Sequence, residues 1–245
     1  FGTPEEDARR RDFTINGLFY DIKTFRVIDH VGGLADLERK TIRCIGNPDI
    51  RFREDPVRMV RAVRFASRLG FTLEPATAHA VRALAPEILK ASPPRMLEEI
   101  YRLFAFHSGE AAFRMLRETG LMAFMFPEIQ DCVDEENAAD PLTWRCLRAL
   151  DARSELTPTL MLGSLYYALV SRESRRAHEE GNPVKGMDLT ASLLTPVARR
   201  FQVPKAVYYR LLHAYELQRS LMQHPPRLTA MFHRGRRADI QRVAN

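Results

Sequence analysis

Disulfide chemistry has little to work with in this chain of 245 residues, whose three cysteines, Cys44, Cys132 and Cys146, are odd in number and lack close paired spacing. That pattern excludes a disulfide framework and supplies no zinc ligand set, so the thiols are expected to be reduced and buried. The histidines, from His30 to His233, are scattered, with no His-Glu-x-x-His or comparable spacing, which argues against a histidine metal site. No stretch approaches the roughly 18 to 20 consecutive apolar residues that a bilayer-crossing helix needs. Nor does the chain open on a basic segment followed by an apolar one. A cytoplasmic address with no membrane partner is the default expectation. Internal repeats and low-complexity tracts are also missing.

What is present is an ordinary globular composition, with 45% hydrophobic and 28% charged residues. It suffices for one large core or two modest ones. The formal net charge of +6 favours polyanionic partners. That charge is uneven. Glu128, Asp131, Asp134, Glu135, Glu136 and Asp140 form an acidic stretch, whereas Arg234, Arg236 and Arg237, beside Phe232, enrich a basic end where RNA is expected to bind. Tyr208 and Tyr209, between Lys205 and Arg210, could stack on bases, although core packing suits them better.

The most telling stretch runs from Glu54 to Gly70. Asp55 suits an N-cap, Pro56 suits the first helical position, and Gly70 can adopt the left-handed conformation that ends a helix. At about 100° per residue, Arg58, Arg61, Arg64 and Arg68 fall on one side and Met59, Ala62, Val63, Ala66 and Leu69 on the other. Asp55 and Arg58 lie three apart, so a carboxylate acceptor and a planar donor fork project together at the helix start. Adenine and cytosine present an amino donor beside a ring acceptor, which this pair complements. Uracil and guanine present the reverse, and a bidentate base contact discriminates by about 1–3 kcal/mol. Adenine and cytosine stay undistinguished by the pair alone, and the same residues also fit a plain capped helix with a solvated cationic face.

Four ordered segments bear on that choice: RRRDFTINGLFYD (Arg9 to Asp21), DHVGGLADL (Asp29 to Leu37), GNPDIRFREDPVRMVRAVRFASRLGF (Gly46 to Phe71) and PPRMLEEIYRLF (Pro93 to Phe104). Together they resemble the bacterial poly(A) polymerase and CCA-adding enzyme family over roughly the first half of the chain. The resemblance implies that Arg10, Arg11 and Asp12 lie near the nucleotide phosphates and sugar, with Asn16 on the same helical face as Asp12. It implies that Asp55, Arg58, Arg61 and Arg64 bind the nucleotide, and that Gly32 and Gly33 form a hinge. Glu54, Arg95 and Glu99 are read as support, with Arg95 and Glu99 spaced for an ion pair.

The family's two magnesium ions are held by an Asp-x-Asp pair upstream of the first segment. No residue here matches those ligands, and the chain opens on Phe1 rather than Met. An upstream segment is therefore expected in the parent, and this chain alone is expected to be catalytically inactive.

The expected fold is mainly α: a remnant of an α/β nucleotidyltransferase head over 1–50, a nucleotide-recognition helix and helical neck over 51–127, and a helical, RNA-binding body over 128–245. Ile15, Leu18 and Phe19 suggest a short helix, and Phe25 to Ile28 a strand. Thr41 to Ile45 is a further strand candidate, Gly46-Asn47-Pro48 a turn, and Gly181 to Gly186 an exposed loop. The resemblance implies template-independent addition of AMP from ATP to an RNA 3′ end by the parent, with magnesium. Its segments look closer to poly(A) polymerases than to CCA-adding enzymes. CCA or A addition to tRNA is the nearest alternative, and a non-catalytic RNA-binding role a second. The oligomeric state is left open.

Overall fold

The computed structural model describes residues 2–136, 138–181 and 186–223. The basic end with Arg234, Arg236 and Arg237, and most of the Gly181 to Gly186 stretch, lie outside the described residues. The chain divides into two compact units, residues 1–130 and 131–245. The stretches 1–50 and 51–127, expected as separate parts, thus share one unit.

The first unit opens with α1 (Pro4–Arg10), started by a capping box in which Thr3 and Glu6 exchange side-chain and backbone hydrogen bonds. The helix expected around Ile15 is only a 3-10 turn, Thr14–Asn16, and Leu18 and Phe19 belong to β1 (Leu18–Asp21). β1 pairs antiparallel with β2 (Arg26–Asp29), Leu18 facing Asp29. Gly17 ends the turn, and the chain runs on in extended conformation against β2.

After β2 come α2 (Gly33–Glu38) and β3 (Thr41–Ile42), then α3 (Pro48–Glu54), where the sequence suggested only a turn. Asn47 caps α3 by accepting from the N–H groups of Asp49 and Ile50, and Pro48 sits at its first position. The arginine helix follows as α4 (Val57–Leu69), closed by Gly70 at φ 64°. Asp55 is not its side-chain cap. Asp55 ends α3 in an extended conformation, and toward the start of α4 it offers its backbone carbonyl, which accepts from the Arg58 N–H. β4 (Thr72–Leu73) then lies parallel to β3.

α5 (Pro75–Ala83), α6 (Pro93–Leu103), α7 (Gly109–Glu118) and the short α8 (Leu121–Met125) complete the first unit's scaffold. α4 is its axis: Met59, Val60, Ala62, Val63 and Ala66 are fully buried, and α4 packs on α6 and α7. Leu69, expected inside, is 41% exposed because it lies in the last turn. Phe104, Phe113 and Phe126 form a ring cluster at 5.3 and 5.5 Å. Burying such rings is a main source of stability here.

α9 (Pro127–Glu136) carries the acidic residues from Glu128 to Glu136 on regular helix, beyond the boundary expected at Pro127. The second unit contains α10 (Leu142–Asp151), α11 (Pro158–Glu179), α12 (Gly186–Arg200) and α13 (Lys205–Gln223). α11 continues nine residues beyond Val170, where its buried apolar residues end. That extra length is polar, and Arg172 and Arg176 both reach Glu135, at 2.8 and 2.7 Å. Trp144, Leu147, Leu165 and Tyr166 make its core, and the Tyr215 hydroxyl donates to the Gly163 carbonyl at 2.6 Å. Tyr208 bonds Thr195 at 2.8 Å, whereas Tyr209 is exposed. Cys44 and Cys132 are buried, Cys146 is half-buried, and all three thiols are free.

Candidate nucleotide-binding site

The segment from Arg11 to Gly17 is too short to hold its own shape, and neighbours fix it from three sides. Arg51, on α3, donates through Nη2 to the carbonyls of Arg10 and Arg11, both at 2.7 Å. The Asp12 carbonyl accepts from Ile45, and the Thr14 N–H donates to Arg43. Asp36, buried on α2, accepts the Thr14 hydroxyl at 2.8 Å and the Arg43 guanidinium at 3.0 Å. These contacts are worth about 1 kcal/mol each and together leave Asp12 and Asn16 one position.

Asp12 and Asn16 meet, but through the extended backbone and 3-10 turn rather than along an α-helix. Asn16 Nδ2 donates to Asp12 Oδ1 at 2.8 Å. The other oxygen, Oδ2, accepts from Arg61 Nε at 2.6 Å. Burial pushes the Asp12 carboxyl up, but the hydrogen bonds from Asn16 and Arg61 and the Arg61 charge outweigh it and hold the group below its ordinary value.

Glu99, on α6 and nearly sealed, is the second organiser. Its carboxylate meets Arg64 at 2.7 Å, Arg102 at 3.1 Å and Arg61 at 3.4 Å. Arg95 does not pair with Glu99 as the spacing suggested. It crosses instead to Asp55, Nη2 to Oδ2 at 2.7 Å. The reason is supply: Glu99 already faces three guanidiniums, and Asp55 stands open at the end of α3.

Asp55 and Arg58 lie side by side, Oδ2 and Nε 3.9 Å apart, with side chains 20% and 18% exposed. Arg58 Nη1 is anchored by the Arg51 carbonyl at 3.0 Å and by Glu54 at 3.2 Å. Asp55 Oδ1 accepts no hydrogen bond from the described residues, so an acceptor and the outer edge of a donor fork remain available together.

These groups surround one open pocket of about 670 Å³. It unites Arg10, Arg11, Asp12 and Asn16 with Asp55, Arg58, Arg61, Arg95 and Glu99. One residue expected to bind the nucleotide stays out. Arg64 turns into the protein, only 8% exposed, because its side of α4 packs against α6 and Glu99 neutralises it there. Burial lowers the Arg64 guanidinium's proton affinity, partly offset by Glu99. Glu54 supports Arg58 from behind without lining the pocket.

Sequence reasoning missed Asp7, which bonds Arg11 at 3.0 Å, Val57, the ring of Phe65, Glu98 and Arg102 in the pocket lining, and Arg51 behind it. Arg102 was detectable, standing three residues after Glu99 on the same helical face. Arg51 was not, since its targets are backbone carbonyls forty residues away.

Gly32 is accounted for by its left-handed backbone and Gly33 by close packing, since a Cβ at Gly33 would stand 2.3 Å from the Thr14 carbonyl oxygen. Gly32 adopts φ 81°, and Asp29 gathers the N–H groups of Val31, Gly32, Gly33 and Leu34 at 2.8–3.0 Å. Burial raises the Asp29 carboxyl, and those four backbone bonds outweigh it and lower it.

Among the described residues no group of His, Cys, Asp or Glu side chains is arranged to hold a metal ion. Asp12, Asp55 and Glu99 are each bound to guanidinium instead. The described residues therefore do not fit a magnesium site. Among the described residues no helix is long and apolar enough to cross a membrane.

Similarity to known proteins follows the same outline. The family described as "Poly A polymerase head domain" matches residues 2–43, and "Probable RNA and SrmB- binding site of polymerase A" matches residues 70–132. Poly(A) polymerase I of Salmonella typhi is 34% identical, over 92% of this chain and 53% of that protein. A CCA-adding enzyme of Geobacillus stearothermophilus is 37% identical over 79% of this chain and 46% of its own length. The solved Bacillus stearothermophilus CCA-adding enzyme in complex with CTP superposes with a TM-score of 0.63 at 31% identity, covering 92% of this chain and 49% of that one. The chain thus spans about half the length of the curated relatives it matches. With the four sequence segments and the helical architecture, these similarities show that the chain belongs to the poly(A) polymerase and CCA-adding enzyme family of nucleotidyltransferases.

Proposed function

We propose that the whole protein extends RNA 3′ ends with AMP taken from ATP, without a template, and that this chain selects the nucleotide and supports the RNA. One observation carries the reading: Asp55 and Arg58 stand adjacent at an open pocket, one offering a free carboxylate oxygen and the other a guanidinium edge. An amino group beside a ring nitrogen satisfies both. Arg95 and Glu54 hold the pair in register.

The rest of the pocket suits the remainder of a nucleoside triphosphate. Arg10 is 70% exposed at its side chain, and with Arg11 and Arg61 it provides planar donor forks for phosphate oxygens. In this reading Asn16, held by Asp12, contacts a ribose hydroxyl. In the reaction, the RNA 3′-oxygen attacks the α-phosphorus, a new phosphodiester bond forms, and pyrophosphate leaves. The residues here orient the base and bind the charge, which raises the effective concentration of the reacting groups. Magnesium, ligated elsewhere in the parent, is part of the same proposal.

CTP is a second candidate, because the Asp55 and Arg58 pattern fits cytosine equally and a similar solved enzyme is a CCA-adding enzyme in complex with CTP. Calorimetry with this chain tests the shared claim. ATP and CTP should bind about tenfold tighter than UTP and GTP, and Arg58→Ala should shrink that gap. Equal affinity for all four overturns it. Primer extension by the full-length protein separates the two products. Long A tails on generic RNA support polyadenylation, and addition that stops at CCA on tRNA replaces it.

A further inference from the structure

The turn between α6 and α7 holds an aromatic ring where neither packing nor the pocket requires one. Phe106 has φ 61° and ψ 35°, and the next residue, His107, has φ 58°. Two successive side-chain-bearing residues in the left-handed region are costly, and such strain gathers where function demands a geometry. The turn is held in place: the Ser108 hydroxyl donates to the Ala105 carbonyl at 2.7 Å. What the strain achieves is exposure, for Phe106 remains 63% accessible.

The Arg68 guanidinium lies over one face of that ring, 3.5 Å from its centroid. Arg68 is exposed and has no carboxylate partner among the described residues. A stacked guanidinium keeps its N–H edge pointing outward, where phosphate oxygens can accept. The location also matters. Phe65 and Arg102 line the nucleotide pocket, Arg68 stands three residues beyond Phe65 on α4, and Phe106 four residues beyond Arg102. α4 packs directly on this turn.

We propose that Phe106 and Arg68 form a stacking station for a base of single-stranded RNA beside the nucleotide pocket, Phe106 taking the base and Arg68 the adjoining phosphate. An aromatic face beside a cation binds any base through stacking and charge, without reading sequence. An apolar protein partner is disfavoured because the ring's neighbour is an unpaired cation. The station's place next to the primer end rests on the nucleotide reading above, but its stacking function is measured separately.

The test uses the whole chain, a short oligo(A) RNA carrying one 2-aminopurine near its 3′ end, and the variants Phe106→Gly and Phe106→Trp. Glycine removes the ring while relieving the left-handed backbone, so the fold should be at least as stable by thermal unfolding. RNA affinity should fall about tenfold in Phe106→Gly, with loss of 2-aminopurine quenching, and persist in Phe106→Trp. ATP affinity should change less than about twofold, as the ring lies outside that pocket. Wild-type RNA affinity in Phe106→Gly overturns the proposal, as does equal loss in both variants. So does loss of a protein partner with RNA binding intact. If the chain fails to bind ATP yet still needs Phe106 for RNA, the nucleotide reading falls and the station stands.

Discussion

Arg61 and Asp12 stand 49 residues apart in sequence, yet the Nε of one donates to the Oδ2 of the other at 2.6 Å. This bond fastens α4 to the strand-and-turn segment and gives the pocket two fixed walls. Asp12→Asn keeps the shape but removes the charge. With the Arg61 side chain 27% exposed, solvent recovers part of the loss, so the cost should be about 1–3 kcal/mol in urea unfolding. An unchanged midpoint would show that the walls are held by other contacts.

The same carboxyl gives acid sensitivity of a defined sign. Its proton affinity in the folded protein is lowered from the ordinary value of 3.8, by Asn16 and Arg61 acting against burial. A lowered carboxyl contributes its stability above the unfolded value and loses it as pH falls through the folded one. Stability measured downward from pH 5 should therefore drop below 3.8, and Asp12→Asn should flatten that part of the curve. Parallel curves for both proteins would assign the acid loss to other groups.

Glu99 and Glu98 are sequence neighbours with opposite consequences. Glu99 is 5% exposed at its side chain and faces Arg61, Arg64 and Arg102, whereas Glu98 is 61% exposed and meets only Arg102. Glu99→Gln leaves buried guanidiniums uncompensated and turns an amide donor toward them, so it should cost about 3 kcal/mol. Glu98→Gln should cost under about 1 kcal/mol. ATP affinity should fall with the first, since Arg61 loses its other anchor, and not with the second, because Glu98 lines the pocket as an anion and its neutralisation removes no donor from a triphosphate. Matching effects would mean that the arginines are positioned by backbone alone.

These contacts also mark how far the sequence could be read. The arginine stripe on α4 was visible because helical periodicity is local, and Gly70 announced the helix end. Arg64 could not be separated from Arg58 and Arg61 by that periodicity, because its burial is decided by α6, which arrives about thirty residues later. α3 was hidden by the Gly46-Asn47-Pro48 run, where turn chemistry and helix-capping chemistry use the same residue types. The family segments brought Asp12, Asn16, Asp55 and Arg95 into one hypothesis, but not their pairing. Which carboxylate a guanidinium chooses depends on competition in space, as the move of Arg95 to Asp55 illustrates.

The two hinge-candidate glycines can be told apart by a single methyl group. At Gly33 a Cβ would stand 2.3 Å from the Thr14 carbonyl oxygen, a backbone atom that Asp36 and Arg43 help to fix. Gly33→Ala should therefore push α2 off the 3-10 turn and cost about 3 kcal/mol, with disturbed nucleotide binding through Asn16. At Gly32 a Cβ meets nothing within 4 Å, and only the φ of 81° resists substitution. Gly32→Ala should cost about 1 kcal/mol and leave ATP affinity intact. If this pair also works as a hinge in the full-length protein, Gly32→Ala should slow turnover more than its stability loss explains. Equal destabilisation by both substitutions would show that neither close packing nor backbone conformation distinguishes the two positions.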